Sequence, residues 1–290
     1  MNSETFEVYR HSGKFGLHGP LLTLAIAAVA AFPLGFVYSY IVRWIPFIYV
    51  HVFATAGYGF AMGLVAGYGL RLGKVRNTTV AFLTAMVAGI IALYFAWSAH
   101  INATFHGAPI LATPGEVLVA MRHLYEEGSW AMRGGGALTG IPLAIVWVVE
   151  ALIIMGFVIG TAFFMIANTP FCELNQCWLD KEKKIDTLES FTDAEQVAAF
   201  KAGDLSPLAK AKPRTPGSPT FARLTLKHSP RCNDFYTVRI QDITIVRDKE
   251  GKPSEKVTDI TKDLMLPHSM FELIAKFEGF KAAETPAAQV

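Results

Sequence analysis

Charged side chains are scarce: Asp, Glu, Lys and Arg make up 17% of the 290 residues, against roughly 25% in soluble domains. The scarcity is local. Residues 1–167 hold eight of the 26 Lys/Arg and six of the 24 Asp/Glu, and residues 168–290 hold the remaining eighteen of each. A tail so balanced exerts no net pull on nucleic acid or anionic lipid, so nucleic acid is not an expected partner. Cysteine is scarcer still, with three in the chain, Cys172, Cys177 and Cys232, all after the last apolar run, where the basic flanks predict a reducing compartment and no structural disulfide. Missing too are a P-loop, a Rossmann glycine fingerprint, a serine elbow and an HExxH pair. No familiar nucleotide-driven or hydrolytic chemistry is therefore written in the chain, and the expectation is a protein that is not an enzyme.

What the first part does contain is apolar sequence. Four runs, 20–42, 45–70, 79–98 and 141–167, each approach or exceed the roughly 20 residues that cross a bilayer. The first follows a polar segment (1–19) and exceeds the usual signal-peptide core of roughly 7–15 residues, so it reads as a retained span. Lys and Arg flank one side: Arg10 and Lys14 before span 1, Arg71, Lys74 and Arg76 between spans 2 and 3, and Lys181, Lys183 and Lys184 after span 4. The positive-inside rule then puts both termini in the cytoplasm. Arg43, Arg122 and Arg133 fall on the opposite side.

Within span 2 the run "HVFATAGYGFAMGLVAGYGL" contains TAGYG (55–59), a lookalike of the TVGYG filter of potassium channels, whose carbonyls replace the ion's water. A filter needs a re-entrant loop. Here eleven further apolar residues, Phe60–Leu70, follow without a polar return. Gly59, Gly63 and Gly67 instead repeat every fourth residue, a small-residue stripe along one helix face that lets a second backbone approach closely. "IPFIYVHVFATAGYGFAMGLVAGYGLRLGKVRN" (45–77) resembles uncharacterised bacterial four-span inner-membrane proteins with a glycine-rich second helix and an LGKVRN-type turn. The resemblance covers roughly the first three spans. It implies a bacterial membrane protein and transfers no activity.

Span 4, "IPLAIVWVVEALIIMGFVIGTAFFMIA", carries Glu150 ten residues from its outer end. A carboxyl at that depth is costly and marks a candidate functional position. His51 in span 2 lies within about 5 Å of the same depth at 1.5 Å per residue, and Thr55 and Tyr58 follow it at i+4 and i+7. Two readings stand: a protonatable Glu150–His51 pair lining a small cavity open to the outer face, or a neutral Glu150 hydrogen-bonded between helices, with the nearby tyrosines forming an interfacial belt. A third places Glu150 against another protein's helix.

The outer loop, 99–140, contains Thr113-Pro114-Gly115-Glu116, a capping box with Pro at the first helical position. Val117, Leu118, Met121, Leu124 and Tyr125 continue at helical spacing to Gly128, which predicts an amphipathic helix over 113–127 on the outer membrane face. The run at 133–136 reads as a joint into span 4.

The tail predicts a small α+β domain over 168–282, with a disordered end at 283–290. A helix is expected from Thr192 with Glu195 three residues on, and "KAKPRTPGSPT" (210–220) reads as a linker. Then follow a strand in "TFARLTLKH", two strands joined by a turn near Gly251, and a closing helix in "SMFELIAKF". Its one chemical constellation is Cys172-x4-Cys177 with His228-x3-Cys232, two ligand pairs that together would make a Cys3His zinc site. "SPRC" (229–232) is similar to a zinc-ribbon knuckle with Ser229 in place of the first Cys, while the Cys172–Cys177 spacing is longer than the ribbon pattern. The competing reading is three ordinary thiols and no cofactor.

Together these features predict a membrane α-helical fold: a four-transmembrane-helix bundle with a small α+β cytoplasmic C-terminal domain. The expected role is a scaffold or accessory subunit of an inner-membrane complex. Its partners are membrane lipid and other membrane subunits or a second copy, met through the glycine face of span 2 and the docking domain. The alternative is a small proton- or ion-coupled transporter subunit using Glu150 and His51, and a membrane enzyme working at the outer-leaflet boundary is a third reading.

Overall fold

The computed structural model describes residues 5–45, 47–105, 107–128, 136–247 and 251–279. The expected joint at 133–136 with its Arg133, and the end at 283–290, lie outside or nearly outside these residues. The chain forms two compact units, one of residues 12–168 and one that joins residues 1–11 to 169–290.

The first unit is a bundle of four long apolar helices: α1 (His18–Trp44), α2 (Ile48–Leu72), α3 (Thr78–Thr104) and α5 (Gly140–Ala167). Each is long and apolar enough to cross a bilayer, so the chain is a multi-pass membrane protein. Its interior is rich in small residues, with Ala27, Ala31, Ala81, Ala85, Ala88 and Ala92 fully buried beside a few large ones such as Met62 and Ile154, while Val29, Phe53, Leu152 and Phe164 point outward. That inversion of a water-soluble core follows from the solvent. Lipid tails are as apolar as leucine, so helices associate by close backbone packing rather than by hiding large side chains.

TAGYG lies inside the unbroken helix α2, so it forms no re-entrant filter. Tyr58 turns inward and donates to the Ala92 carbonyl oxygen at 2.8 Å. Gly59, Gly63 and Gly67 line α5: a Cβ on Gly63 would meet Thr161 Cβ at 2.7 Å and the Phe157 carbonyl oxygen at 2.8 Å. A second close approach joins α2 to α1, where a Cβ on Gly69 would lie 2.9 Å from Thr23 Cα and one on Gly73, just past the end of α2, 2.4 Å from Gly19 Cα. The glycine excess of α2 thus serves two neighbours within the chain.

Helix α3 runs to Thr104, six residues past the end expected from the apolar run. Polar residues there find partners that keep the helix going: Tyr40 donates to Asn102 Oδ1 at 3.3 Å, and Asn102 Nδ2 donates to Ala108 O at 3.2 Å. Outside the spans, α4 (Pro114–Glu127) starts with the predicted capping box, Thr113 and Glu116 each capping the other. These bonds, that from the Thr113 backbone first, hold the exposed Glu116 carboxyl below its usual range. Val117 of α4 packs with Ile101 and Ala112.

The second unit is an antiparallel sheet with two short helices. A small hairpin, β1 (Phe171–Cys172) with β2 (Cys177–Trp178), precedes β3 (Lys181–Leu188), α6 (Ala194–Lys201), β4 (Thr220–Ser229), β5 (Cys232–Arg247), β6 (Pro253–Asp259), β7 (Leu264–Leu266) and α7 (His268–Ala275). The order across the sheet is β3-β4-β5-β6, with β7 also pairing β5. Alternation in "FARLTLKH" buries Ala222, Leu224 and Leu226, and these pack with Ile185, Val238, Ile240 and Phe200 of α6 in one core.

Several local expectations shift. The cap of α6 is Asp193, whose Oδ1 accepts from Glu195 N at 3.0 Å, one residue later than Thr192, because a carboxylate at that position reaches the second helical N–H. The Pro-rich stretch 210–220 is bonded along β3 rather than free, with Arg214 N donating to Thr187 O at 2.7 Å and Leu188 bridging Pro213. Residues 5–9, part of the segment set apart as 1–19, belong to this unit. Phe6 N donates to Gly203 O and Tyr9 N to Asp263 O, each at 2.8 Å, and Val8 bridges Leu264.

Candidate functional site

The most polar interior position of the bundle is built on three helices. Tyr38 of α1 donates to Glu150 Oε1 of α5. Thr55 of α2 lies 3.2 Å from the Tyr38 hydroxyl and 3.5 Å from the same carboxyl oxygen, and donates to the His51 carbonyl oxygen at 2.8 Å. Tyr38 stacks on Tyr58, ring centres 5.0 Å apart and 10° from parallel. Stacking fixes the Tyr38 ring, and the ring fixes the hydroxyl on Glu150.

These groups open onto a cavity of about 270 Å³ whose lining includes Glu150, Tyr38, Thr55, His51 and His100, with Trp97, Trp147 and Ile154 among its apolar walls. Glu150 and His51, the pair singled out from sequence, therefore border one space. His51 Nε2 also lies 2.9 Å from the Ile45 carbonyl oxygen, which anchors its ring at the start of α2. The indole rings of Trp97 and Trp147 meet edge to face at 5.1 Å, and Trp97 meets His100 at 5.8 Å. The arrangement has the character of a binding pocket: mostly apolar walls with a few convergent polar groups. A carboxyl, two imidazoles and two hydroxyls can accept and donate protons to a polar head group placed among them.

Tyr38, one of the tyrosines at the outer end of span 1 that the sequence leaves open between a polar cavity and an interfacial belt, lies within α1 and joins the cavity, whereas sequence reasoning misses His100. His100 fell past the expected end of span 3, and only the extension of α3 to Thr104 brings it to the cavity wall.

In the second unit the three cysteines come together. Cys172 and Cys232 are buried in one cluster with Leu179, against which Cys177 and Phe235 pack. All three are free thiols. Burial, and then the hydrogen bond with Cys232, pushes the Cys172 thiol up to about 11, and burial raises Cys177 as well. His228 is not among them. Its ring lies against Phe271, centres 5.6 Å apart, because successive residues of a strand face opposite ways and Ser229 takes the cysteine side. Among the described residues, no group of three or more His, Cys, Asp or Glu side chains is placed to hold a metal ion.

No family model, curated protein or solved structure matches this chain.

Proposed function

We propose that this chain is a bacterial inner-membrane subunit whose bundle binds a small molecule or cation at Glu150 and couples that binding to a proton. Both chain ends face the cytoplasm in this reading, in accord with the Lys/Arg bias and with the pairing of residues 5–9 and 264–265 in one unit. The observation that carries it is that Glu150 lines a cavity shared with His51, His100, Tyr38 and Thr55. Intramembrane carboxyls and imidazoles on a cavity are the groups that proton-coupled sites use. The ligand this lining favours has a compact hydrogen-bonding head for Glu150 and Tyr38 and an apolar body for Trp97, Trp147 and Ile154.

The competing scaffold reading loses one of its supports, since Gly59, Gly63 and Gly67 are occupied by α5. What favours a docking role is β6 in the other unit. All seven of its residues are exposed, and its pairing runs to β5. Docking and proton coupling are compatible in one subunit.

The deciding experiment is reconstitution into vesicles carrying an internal pH indicator. Proton uptake by the wild-type protein that Glu150→Gln abolishes, with the bundle still folded, supports the reading. Vesicles as tight to protons as protein-free controls, under either sign of imposed potential, sink it and leave the scaffold.

A further inference from the structure

The seam between α2 and α5 changes character along its length. From Gly67 to Gly59 it is closed by backbone: an added Cβ would meet Ala162 Cα at 3.3 Å from Gly67 and Ile154 Cα at 3.0 Å from Gly59. One turn nearer the start of both helices, Thr55 lies 3.5 Å from Glu150 Oε1. Between there and Ile48 and Ile145 neither helix has a glycine. Ile48 and Val52 stand on α2, and Ile145 and Val149 on α5. Their bulk and stiff χ1 oppose the close approach that glycine allows. All four line the cavity that holds Glu150, and each is also between 48% and 58% exposed at the surface of the bundle. Side chains that do both frame an opening. Both helices are apolar spans, so an opening at their seam gives onto acyl chains.

The polar end of the cavity has one acceptor to spare. Tyr38 and Thr55 both address Oε1 of Glu150, and among the described residues Oε2 has no hydrogen-bond partner. The indoles of Trp97 and Trp147 stand on the same lining. Size limits what fits. An apolar cavity of roughly 150 Å³ holds benzene, so about 270 Å³ has room for one substituted ring but not for a long tail as well.

We propose, resting on the reading of this cavity as a ligand site, that it takes a hydroquinone with an apolar tail sideways from the membrane, through the α2–α5 seam. One phenolic O–H donates to Glu150 Oε2, the ring lies against Trp97 and Trp147, and the tail leaves between Ile48, Val52, Ile145 and Val149. Only non-covalent contacts form. A ring is favoured over an aliphatic alcohol because aromatic pairs contribute beyond the area they bury. An ammonium head is disfavoured because His51 and His100 share the walls and repel it whenever either is protonated.

The test uses the full-length protein in lipid nanodiscs and a hydroquinone bearing a decyl chain, kept reduced. Binding should saturate near one ligand per chain, above partition into protein-free discs. Glu150→Gln puts an amide N–H2 where Oε2 was and should weaken it about tenfold. Decanol and decylammonium should compete at least about tenfold more weakly than the hydroquinone. A photoreactive diazirine on the first tail carbon should label Ile48, Val52, Ile145 or Val149 of the wild-type protein, which no misfolded variant can mimic. The inference is overturned by binding that does not saturate, by undiminished affinity in Glu150→Gln, by equal competition from either aliphatic head, or by labelling confined to α1 and α3. Nanodiscs carry no gradient, so the two ideas fail separately. Hydroquinone binding without proton uptake in vesicles sinks the coupling alone, and proton uptake without hydroquinone binding sinks this ligand and route alone.

Discussion

Within the four spans the buried polar side chains are hydroxyls, most of which donate to helix carbonyls, as Thr23 does to Gly19 at 2.8 Å, Ser39 to Ala96 at 3.0 Å and Thr84 to Val80 at 2.7 Å. In the α+β unit the buried polar side chains include full charges. Lys227 and Arg239 both reach Asp263, at 3.1 and 2.8 Å, and Arg223 grips Asp186 and Glu255, each at 2.7 Å. Those bonds to Asp186 and then Glu255 raise the Arg223 guanidinium and hold the exposed Glu255 carboxyl low. The difference follows from what surrounds each unit. A neutral hydroxyl satisfied by a helix carbonyl costs little in lipid, whereas a buried charge needs an opposite charge beside it to offset its desolvation. Glu150 is the one acidic residue in the spans, and its partners are hydroxyls, Tyr38 and Thr55.

The strongest way to break this contrast is to remove one member of the charged triad. Asp263→Ala leaves Lys227 and Arg239 facing each other and should cost the α+β unit about 3–5 kcal/mol, the range for stranding a buried charge, read by denaturant melting of the full chain. A loss below that of an exposed pair would mean the triad is solvated and the contrast is only one of composition.

Close packing inside the bundle should give the next largest effect. Gly63→Ala forces Thr161 and the Phe157 backbone to move and should cost about 1–3 kcal/mol as an overpacked contact, seen as a lower melting temperature in detergent. Gly57→Ala is the matched control, since nothing lies within 4 Å of the added carbon, and it should leave the melt unchanged or slightly raised. Equal losses at both positions would show that α2 tolerates no added carbon anywhere, and that α5 is not the cause.

Replacing the membrane carboxyl should matter less to the fold than to function. Glu150→Gln keeps an acceptor for Tyr38, and Tyr38→Phe removes one interhelical bond. Each should change stability by about 0.6 kcal/mol, the average for such bonds in membranes. A loss at Glu150 as large as that at Asp263 would erase the distinction between hydroxyl-partnered and ion-paired acids.

The smallest expected effect is a pH dependence in the α+β unit. Burial first, and the neighbouring Lys183 next, hold the His228 imidazole below its ordinary value. The unfolded chain therefore takes up this proton at higher pH than the folded one does. Stability that is intact above about pH 6.5 is lost as the pH falls from there towards the folded value. His228→Asn should flatten the denaturation midpoint between pH 7 and pH 5, checked by melts at closely spaced pH, and an unaltered slope would assign the dependence to other groups.

Much of the fold was legible because its signals are local. Four apolar runs, the Thr113–Glu116 capping box and the alternation in β4 each need only a few neighbouring residues to act. The charged β3, "KEKKIDTL", was not legible, because its exposed lysines hide the buried Ile185 and Leu188. Residues 5–9 carried no strand signal either, since their pairing depends on Gly203 and Leu264, more than 190 residues away. At the candidate sites, Glu150 and His51 stood out as polar residues in apolar sequence, and the cysteines by their spacing. Tyr38 stood out only as one of several aromatic and polar residues at span ends, because a tyrosine there is ordinary until its hydroxyl has a partner.

The sequence by itself determined that this chain crosses a membrane four times and then folds a small α+β unit, since apolar length and period-two alternation act along the chain whatever lies beside it. Only the tertiary structure decided which residues meet. It set Glu150 against Tyr38, 112 residues away, and put Ser229 rather than His228 beside the cysteines. Spacing fixes how far apart two side chains are along the backbone, but which face of a strand or helix they share depends on the partner that the face packs against.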